Sequence, residues 1–309
     1  MSKTMDRAKK APMSDLTSSP SLTPVGGGQV PPSSGLRPMA REFARQTSKA
    51  LFATADLFLG DWPGPRILIY HQIGAGSGRQ MDLSTEMFRG HVKWLLDHGR
   101  IVGFGDALSA ADDPESNRQF VLTFDDGYAD FYENGFPLLR EQGIPFTLYL
   151  TSGHIESGEL LHPGDRPLTW DQVDEMLSTG LVTLGAHTHT HPDLRGLSVG
   201  EIEEEIGGSN RLIQARSGQV PEHFAYPKGF WDETAENVVR ANYSTAVLGG
   251  GSPVSQMTDP FRIGRVPVQR SDRQFFFTRK MARGMRMEER VRSLVRGYRN
   301  PPGTREWGQ

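Results

Sequence analysis

The chain has 309 residues, 36% of them hydrophobic, enough to bury a full core, and its formal net charge of −3 excludes the strongly basic character of most nucleic-acid-binding proteins. It contains no cysteine, so disulfides, thiolate metal sites and cysteine nucleophiles are excluded together, and any metal must be held by His, Asp or Glu. No apolar run reaches the roughly 18 residues of a membrane span, and no apolar stretch follows the basic residues at the N-terminus, so the chain is expected to stay in the cytoplasm.

Residues 1–39, including SSPSLTPVGGGQVPPSSGLRP, are poor in large apolar side chains and read as a disordered tail. Residues 40–60 read as an amphipathic helix, with Phe43, Thr47, Leu51, Ala55 and Phe58 on one face and Arg41, Arg45 and Lys49 off it. A helix docked on the domain is the first reading of that pattern, and peripheral contact with a membrane surface the second. Residues 61–285 alternate short apolar runs with amphipathic segments. The expected strands are Ile67 to His71, Phe120 to Phe124, Phe146 to Leu150, Val182 to Ala186, His223 to Tyr226, Ser244 to Leu248 and Arg265 to Gln269. Helices are expected between them, among them Thr85 to His98 closed by Gly99, and Thr169 to Thr179, where Thr169 and Gln172 are spaced as a capping box. Such alternation predicts an α/β fold with a parallel sheet, open or closed into a barrel, whose site lies at the C-terminal strand ends. From Arg270 onward eleven Arg and Lys residues stand against four Asp and Glu. The segment 286–309 within it is expected to be a basic helix and tail, with an anionic membrane surface or glycan as the other reading.

Four stretches carry candidate chemistry, each at the end of a predicted strand. In TFDDGY, Asp125 and Asp126 are neighbours on an extended chain, so their side chains point to opposite sides and need not do the same job. One could cap a helix, but two exceed what capping requires. In LGAHTHTHPDL, His187, His189 and His191 fall within five residues. An extended segment would put all three on one face, whereas a turn would let the outer pair converge on one ion. A histidine cluster without cysteine, completed by a carboxylate, suits zinc or another borderline divalent metal. In HFAYPKGFWDE, Pro227 and Gly229 set Lys228 in a turn whose N–H can face a site. In ILIYHQI, His71 ends the first apolar run.

These motifs, in this order and at these separations, resemble the polysaccharide deacetylase family, the NodB-homology domain of carbohydrate esterase family 4, from about Ile67 to Arg283. The histidine motif ahead of the Asp-Asp pair is similar to a circularly permuted subgroup that includes poly-N-acetylglucosamine deacetylases. The resemblance implies a distorted (β/α) barrel of about seven parallel strands, with residues 61–285 as the catalytic domain. It implies Asp126, His187 and His191 as ligands of a divalent metal, most readily Zn²⁺, with Co²⁺ or Ni²⁺ as alternatives. Asp125 is then the general base, His71 the general acid, and the Lys228 N–H an oxyanion donor, with Pro227, Tyr226 and Trp231 beside the substrate. His189 is expected to point away or to support the ligands from behind. Many relatives carry an arginine two positions before the third motif's proline, orienting the catalytic Asp; Ala225 stands there in this chain, so Asp125 must be oriented from elsewhere or held more loosely.

The activity implied is removal of N-acetyl groups from amino sugars of a polysaccharide or lipid-linked glycan, an N-acetylated glycan being the partner and no nucleic acid being involved. Amide hydrolysis needs an activated nucleophile, oxyanion stabilisation and a proton for nitrogen, and this residue set offers all three. An amidohydrolase of small cyclic imides, ureides or formamido sugars would share the metal residues. A non-catalytic glycan-binding domain would need a broken set.

Overall fold

A computed structural model describes residue 47 and residues 63–283 of the chain. The tail of 1–39 and the basic segment 286–309 lie outside the described residues, as does the 40–60 helix apart from Thr47.

The first apolar run forms β1 (Arg66–Tyr70), followed by the short pair β2 (Gln72–Ile73) and β3 (Asp82–Leu83) and by helix α1 (Thr85–His98). Ser84 caps α1 by accepting from the Met87 N–H, and the helix buries Phe88, His91, Val92 and Leu95, spaced three and four apart. A cap contributes about 1 kcal/mol and each fully buried large side chain about 1.5–3 kcal/mol, so the apolar stripe rather than the cap decides where this helix docks. Next come β4 (Arg100–Ile101), α2 (Phe104–Ser109) and β5 (Gln119–Phe124), then α3 (Phe136–Glu141), β6 (Phe146–Leu150) and α4 (Ser152–Ser157). The chain continues through α5 (Trp170–Ser178), β7 (Val182–Ala186), α6 (Val199–Ser217), β8 (His223–Ala225), α7 (Glu233–Asn242), β9 (Thr245–Gly249), β10 (Ile263–Pro267) and α8 (Gln274–Arg283). The capping box at α5 forms as its spacing predicts, with Thr169 and Gln172 each bonding the other's backbone N–H. No helix among the described residues is long and apolar enough to cross a membrane.

The parallel strands run in the order β1, β10, β9, β8, β7, β6, β5, and β5 returns to β1 with Arg66 opposite Phe120 and Tyr70 opposite Phe124. The result is a closed barrel of seven parallel strands with β4 appended at β5, the distorted (β/α) barrel expected. Because side chains alternate across each strand, closure sorts them into two cores. Leu68, Tyr70, Leu122, Phe124, Phe146, Leu148 and Leu150 pack outward against the helices. Ile67, Val121, Tyr149, Ala225, Val247 and Ile263 fill the interior, plugged by Val102, Phe104 and Val254. One interior contact is close: a Cβ on Gly185 would stand 2.4 Å from the Tyr149 ring, so only glycine leaves room for that tyrosine.

Strand boundaries shift by one residue from expectation at β1, β5, β8 and β9. The largest difference is at β10, which begins at Ile263 rather than Arg265. A charged residue reads as a strand end, but here Arg265 lies inside the strand, its burial permitted by an equally buried partner, Asp125.

Candidate active site

The barrel seam positions the two carboxylates. Asp125 continues β5, its N–H donating to the Tyr70 carbonyl at 3.0 Å, so the pairing that closes the barrel also holds this residue. At Asp126 the backbone turns into the left-handed region (φ 71°), and Gly127 follows at φ 84°. That turn sends the two side chains to different neighbours. Four non-glycine residues have positive φ among the described residues: Asp126, His191 and Lys228, all predicted site residues, and Thr188, which lies in the histidine stretch. Such conformations cost of order 1–3 kcal/mol each and persist only where the surroundings impose them.

Asp126, His187 and His191 converge, their candidate ligand atoms all within 4.8 Å of one another. His187 directly follows β7; its N–H donates to the Leu150 carbonyl and its Nδ1 lies 2.7 Å from the Ala225 carbonyl oxygen. A carbonyl only accepts, so Nδ1 carries the proton and Nε2 keeps its lone pair. Nε2 of His187 and Nε2 of His191 each lie 3.4 Å from Asp126 Oδ1, itself buried without a hydrogen-bond partner. Two ligands of a tetrahedral zinc, each about 2.0–2.1 Å from the ion, stand about 3.3 Å apart, so each histidine is spaced from Asp126 as two ligands of one divalent cation would be. Burial works against the His187 cation, but the neighbouring carboxylates of Asp126 and Asp125 outweigh it and raise its pKa. Burial draws His191 down to about 4. Burial would push Asp126 up, yet the positive charge that His191 and His187 can carry beside it holds it well below the usual carboxylate range.

Asp125 is held by a residue the sequence did not single out. Arg265 of β10 donates from Nη1 to Oδ1 at 2.7 Å and from Nη2 to Oδ2 at 2.6 Å. Nη1 also donates to Thr123 Oγ1 at 2.8 Å, and the Tyr149 ring centroid lies 5.1 Å from the guanidinium carbon. Burial pushes the Asp125 carboxyl up, and the Arg265 guanidinium more than offsets this, lowering its pKa. The orientation that Ala225 left open therefore comes from two strands away, while the Ala225 carbonyl fixes the tautomer of His187. A charged residue inside an apolar run, IGRVP, was the one available signal.

His71 follows β1, half-buried, with Nδ1 enclosed and without a hydrogen-bond partner. Burial lowers its pKa against the opposing charges of Asp126 and Asp125. Lys228 sits in a left-handed conformation between Pro227 and Gly229, its side chain exposed. The N–H groups after it are engaged, Gly229 to the Tyr226 carbonyl and Phe230 to the Pro227 carbonyl. Tyr226 is not brought to this group: its ring packs edge-on against Phe224 in the outer core. Trp231 is half-buried with Arg262 4.3 Å over its ring, and Trp170 donates to Glu156 at 2.8 Å. His189 turns from the triad, Nδ1 3.2 Å from Ser152 Oγ, while Glu205 accepts from the N–H groups of His189 and Thr190 at 2.9 and 2.8 Å. Glu205 lies in the acidic run EIEEEIG, where nothing in the sequence sets it apart from its neighbours.

The placement of Tyr226 gives an expected result. Its hydroxyl has no hydrogen-bond partner, so Tyr226→Phe removes no bond and should leave turnover within about twofold of the parent. A tenfold loss in a steady-state assay would place that hydroxyl at the substrate instead.

Residues 112–247 match the family model described as polysaccharide deacetylase. The protein YxkH of Bacillus subtilis is 29% identical over 206 residues, 65% of this chain and 70% of that protein. The poly-β-1,6-N-acetyl-D-glucosamine N-deacetylase of Staphylococcus epidermidis is 26% identical over 160 residues, 50% of this chain and 53% of that protein, so the match spans about half its length. Among solved structures, IcaB from Ammonifex degensii superposes with a TM-score of 0.63 at 24% identity, covering 72% of this chain and 96% of that one. The Streptococcus pyogenes deacetylase PplD in complex with acetate gives 0.61 at 23% identity, over 72% of this chain and 98% of that one. At these identities the superpositions establish the fold.

Proposed function

We propose that this chain, whose residues 112–247 match the polysaccharide deacetylase family model, is a metal-dependent hydrolase removing N-acetyl groups from amino sugars of a polysaccharide or lipid-linked glycan. The observation that carries the reading is the convergence of Asp126, His187 and His191, with Asp125 held rigidly beside them and His71 within reach of the same charges. The name of the staphylococcal relative supports an N-acetylglucosamine polymer as the substrate class.

Asp126, His187 and His191 would hold the cation, and the mixed imidazole and carboxylate donor set favours Zn²⁺, with Co²⁺ or Ni²⁺ as substitutes. When bound, such a cation supplies Lewis acidity, acidifying water and polarising a carbonyl. The chain's own residues do the rest. Asp125, kept ionised by Arg265, accepts the proton of the attacking water. The Lys228 N–H, set in a left-handed turn, is assigned to donate to the carbonyl oxygen as negative charge develops there. His71 donates a proton to the amide nitrogen as the C–N bond breaks, so the products are acetate and a free amine.

Acetate release from N-acetylglucosamine oligomers tests the reading. Turnover should fall to background when the protein is stripped with a chelator and return on adding Zn²⁺. Zinc-replete protein releasing no acetate from any N-acetylglucosamine oligomer or polymer would show the substrate class to be wrong.

A further inference from the structure

We propose that Arg265 sorts the two adjacent carboxylates: by holding both oxygens of Asp125 it keeps that side chain off the cation and leaves Asp126 as the only anionic ligand. The inference rests on reading Asp126, His187 and His191 as a metal site.

Two buried carboxylates one residue apart, beside two imidazoles, would ordinarily both be drawn to a divalent cation. Here both oxygens of Asp125 are engaged by one guanidinium, at 2.7 and 2.6 Å, in the bidentate geometry that gives arginine pairs their strength and direction. The guanidinium has little freedom to follow a drifting carboxylate. Arg265 is 2% exposed, its backbone is registered opposite Gly249 of β9, Nη1 is tied to Thr123 Oγ1, and that hydroxyl donates to the Leu68 carbonyl at 2.8 Å. Asp126 presents the opposite case. Its Oδ1 has no hydrogen-bond partner and is the oxygen that both histidine Nε2 atoms approach. The convergent donor set accordingly contains Asp126 and omits Asp125. Arg265 touches neither substrate nor cation in this scheme and acts as a positioning residue.

Releasing Asp125 would add a carboxylate ligand and remove the base in the same step. The experiment is a double-mutant cycle on the full chain, with zinc affinity measured by competition against a chromophoric chelator, the visible spectrum of the Co²⁺-loaded protein, and acetate release. Arg265→Met should bind zinc about tenfold tighter or more, shift the cobalt spectrum toward higher coordination, and lower kcat about 100-fold with KM within about threefold. In an Asp125→Asn background the same replacement should change zinc affinity by less than about twofold, because no second carboxylate remains to be released. An equal gain in both backgrounds would mean that Arg265 acts only through its charge, and an unchanged or weaker affinity with an unchanged spectrum would mean that Asp125 never competes; either overturns the proposal. If Arg265→Met does not fold, Arg265→Gln, which keeps a donor for Thr123, carries the same comparison. Parent protein that takes up no zinc would instead refute the metal site itself.

Discussion

Asp125→Asn is expected to lower acetate release by about 10²- to 10⁴-fold, the span for loss of a positioned general base, while the protein still takes up zinc. The second half of that result follows from geometry, since Asp126, His187 and His191 converge without Asp125. The substitution also reaches the barrel interior. Asn cannot accept both guanidinium donors, so Arg265 becomes a buried charge with one acceptor and the Thr123 hydroxyl in place of a carboxylate. Removing one partner of a buried pair costs about 3–5 kcal/mol, and the retained bonds place this case at the lower end. A domain of this size should then lose about 6–12 °C in melting temperature. Turnover has to be compared well below the lower transition. A variant that keeps parental turnover there would remove Asp125 from the mechanism.

Asp126→Asn should abolish zinc-dependent turnover, a loss of about 10³-fold or more, because it takes the only carboxylate from the ligand set. Asn is the informative replacement. It matches the shape of Asp and tolerates the left-handed backbone at φ 71°, so any loss reports the missing charge rather than local misfolding. The contrast with Asp125→Asn lies in thermal response. Parent protein at a zinc concentration 100 times the dissociation constant should gain about 2.7 kcal/mol of stability, a shift of several degrees. Asp126→Asn should show almost none of it, whereas Asp125→Asn should keep it. If both variants responded to zinc alike, the division of roles between the two carboxylates would be wrong.

Much of this arrangement could be read in advance. The seven barrel strands were visible as apolar runs because a strand buried on both faces leaves a run too apolar to mistake. The two histidines stood out because their spacing is local: His187 and His191 lie four positions apart, and one turn brings them together. Other elements left weaker traces. The two-residue strands β2, β3 and β4 are too short to carry a period. Tyr226, one residue from the turn at Pro227, looked like a substrate contact, and strand alternation puts its ring in the outer core. Glu205 could not be told from the glutamates around it until the helix docked under the histidine turn.

The sequence by itself determined the alternation of strands and helices, the capping of α1 and α5, and the spacing that brings His187 and His191 together in one turn, all of which depend on residues within a few positions of one another. The tertiary structure alone decided that Asp125 is gripped by Arg265 while Asp126 Oδ1 faces the two histidines. Asp125 and Arg265 stand 140 residues apart, and they meet because β5 and β10 both flank β1 and direct these side chains into one closed interior. A buried charge is tolerated only where its partner is also buried, and no local pattern records that pairing; barrel closure does.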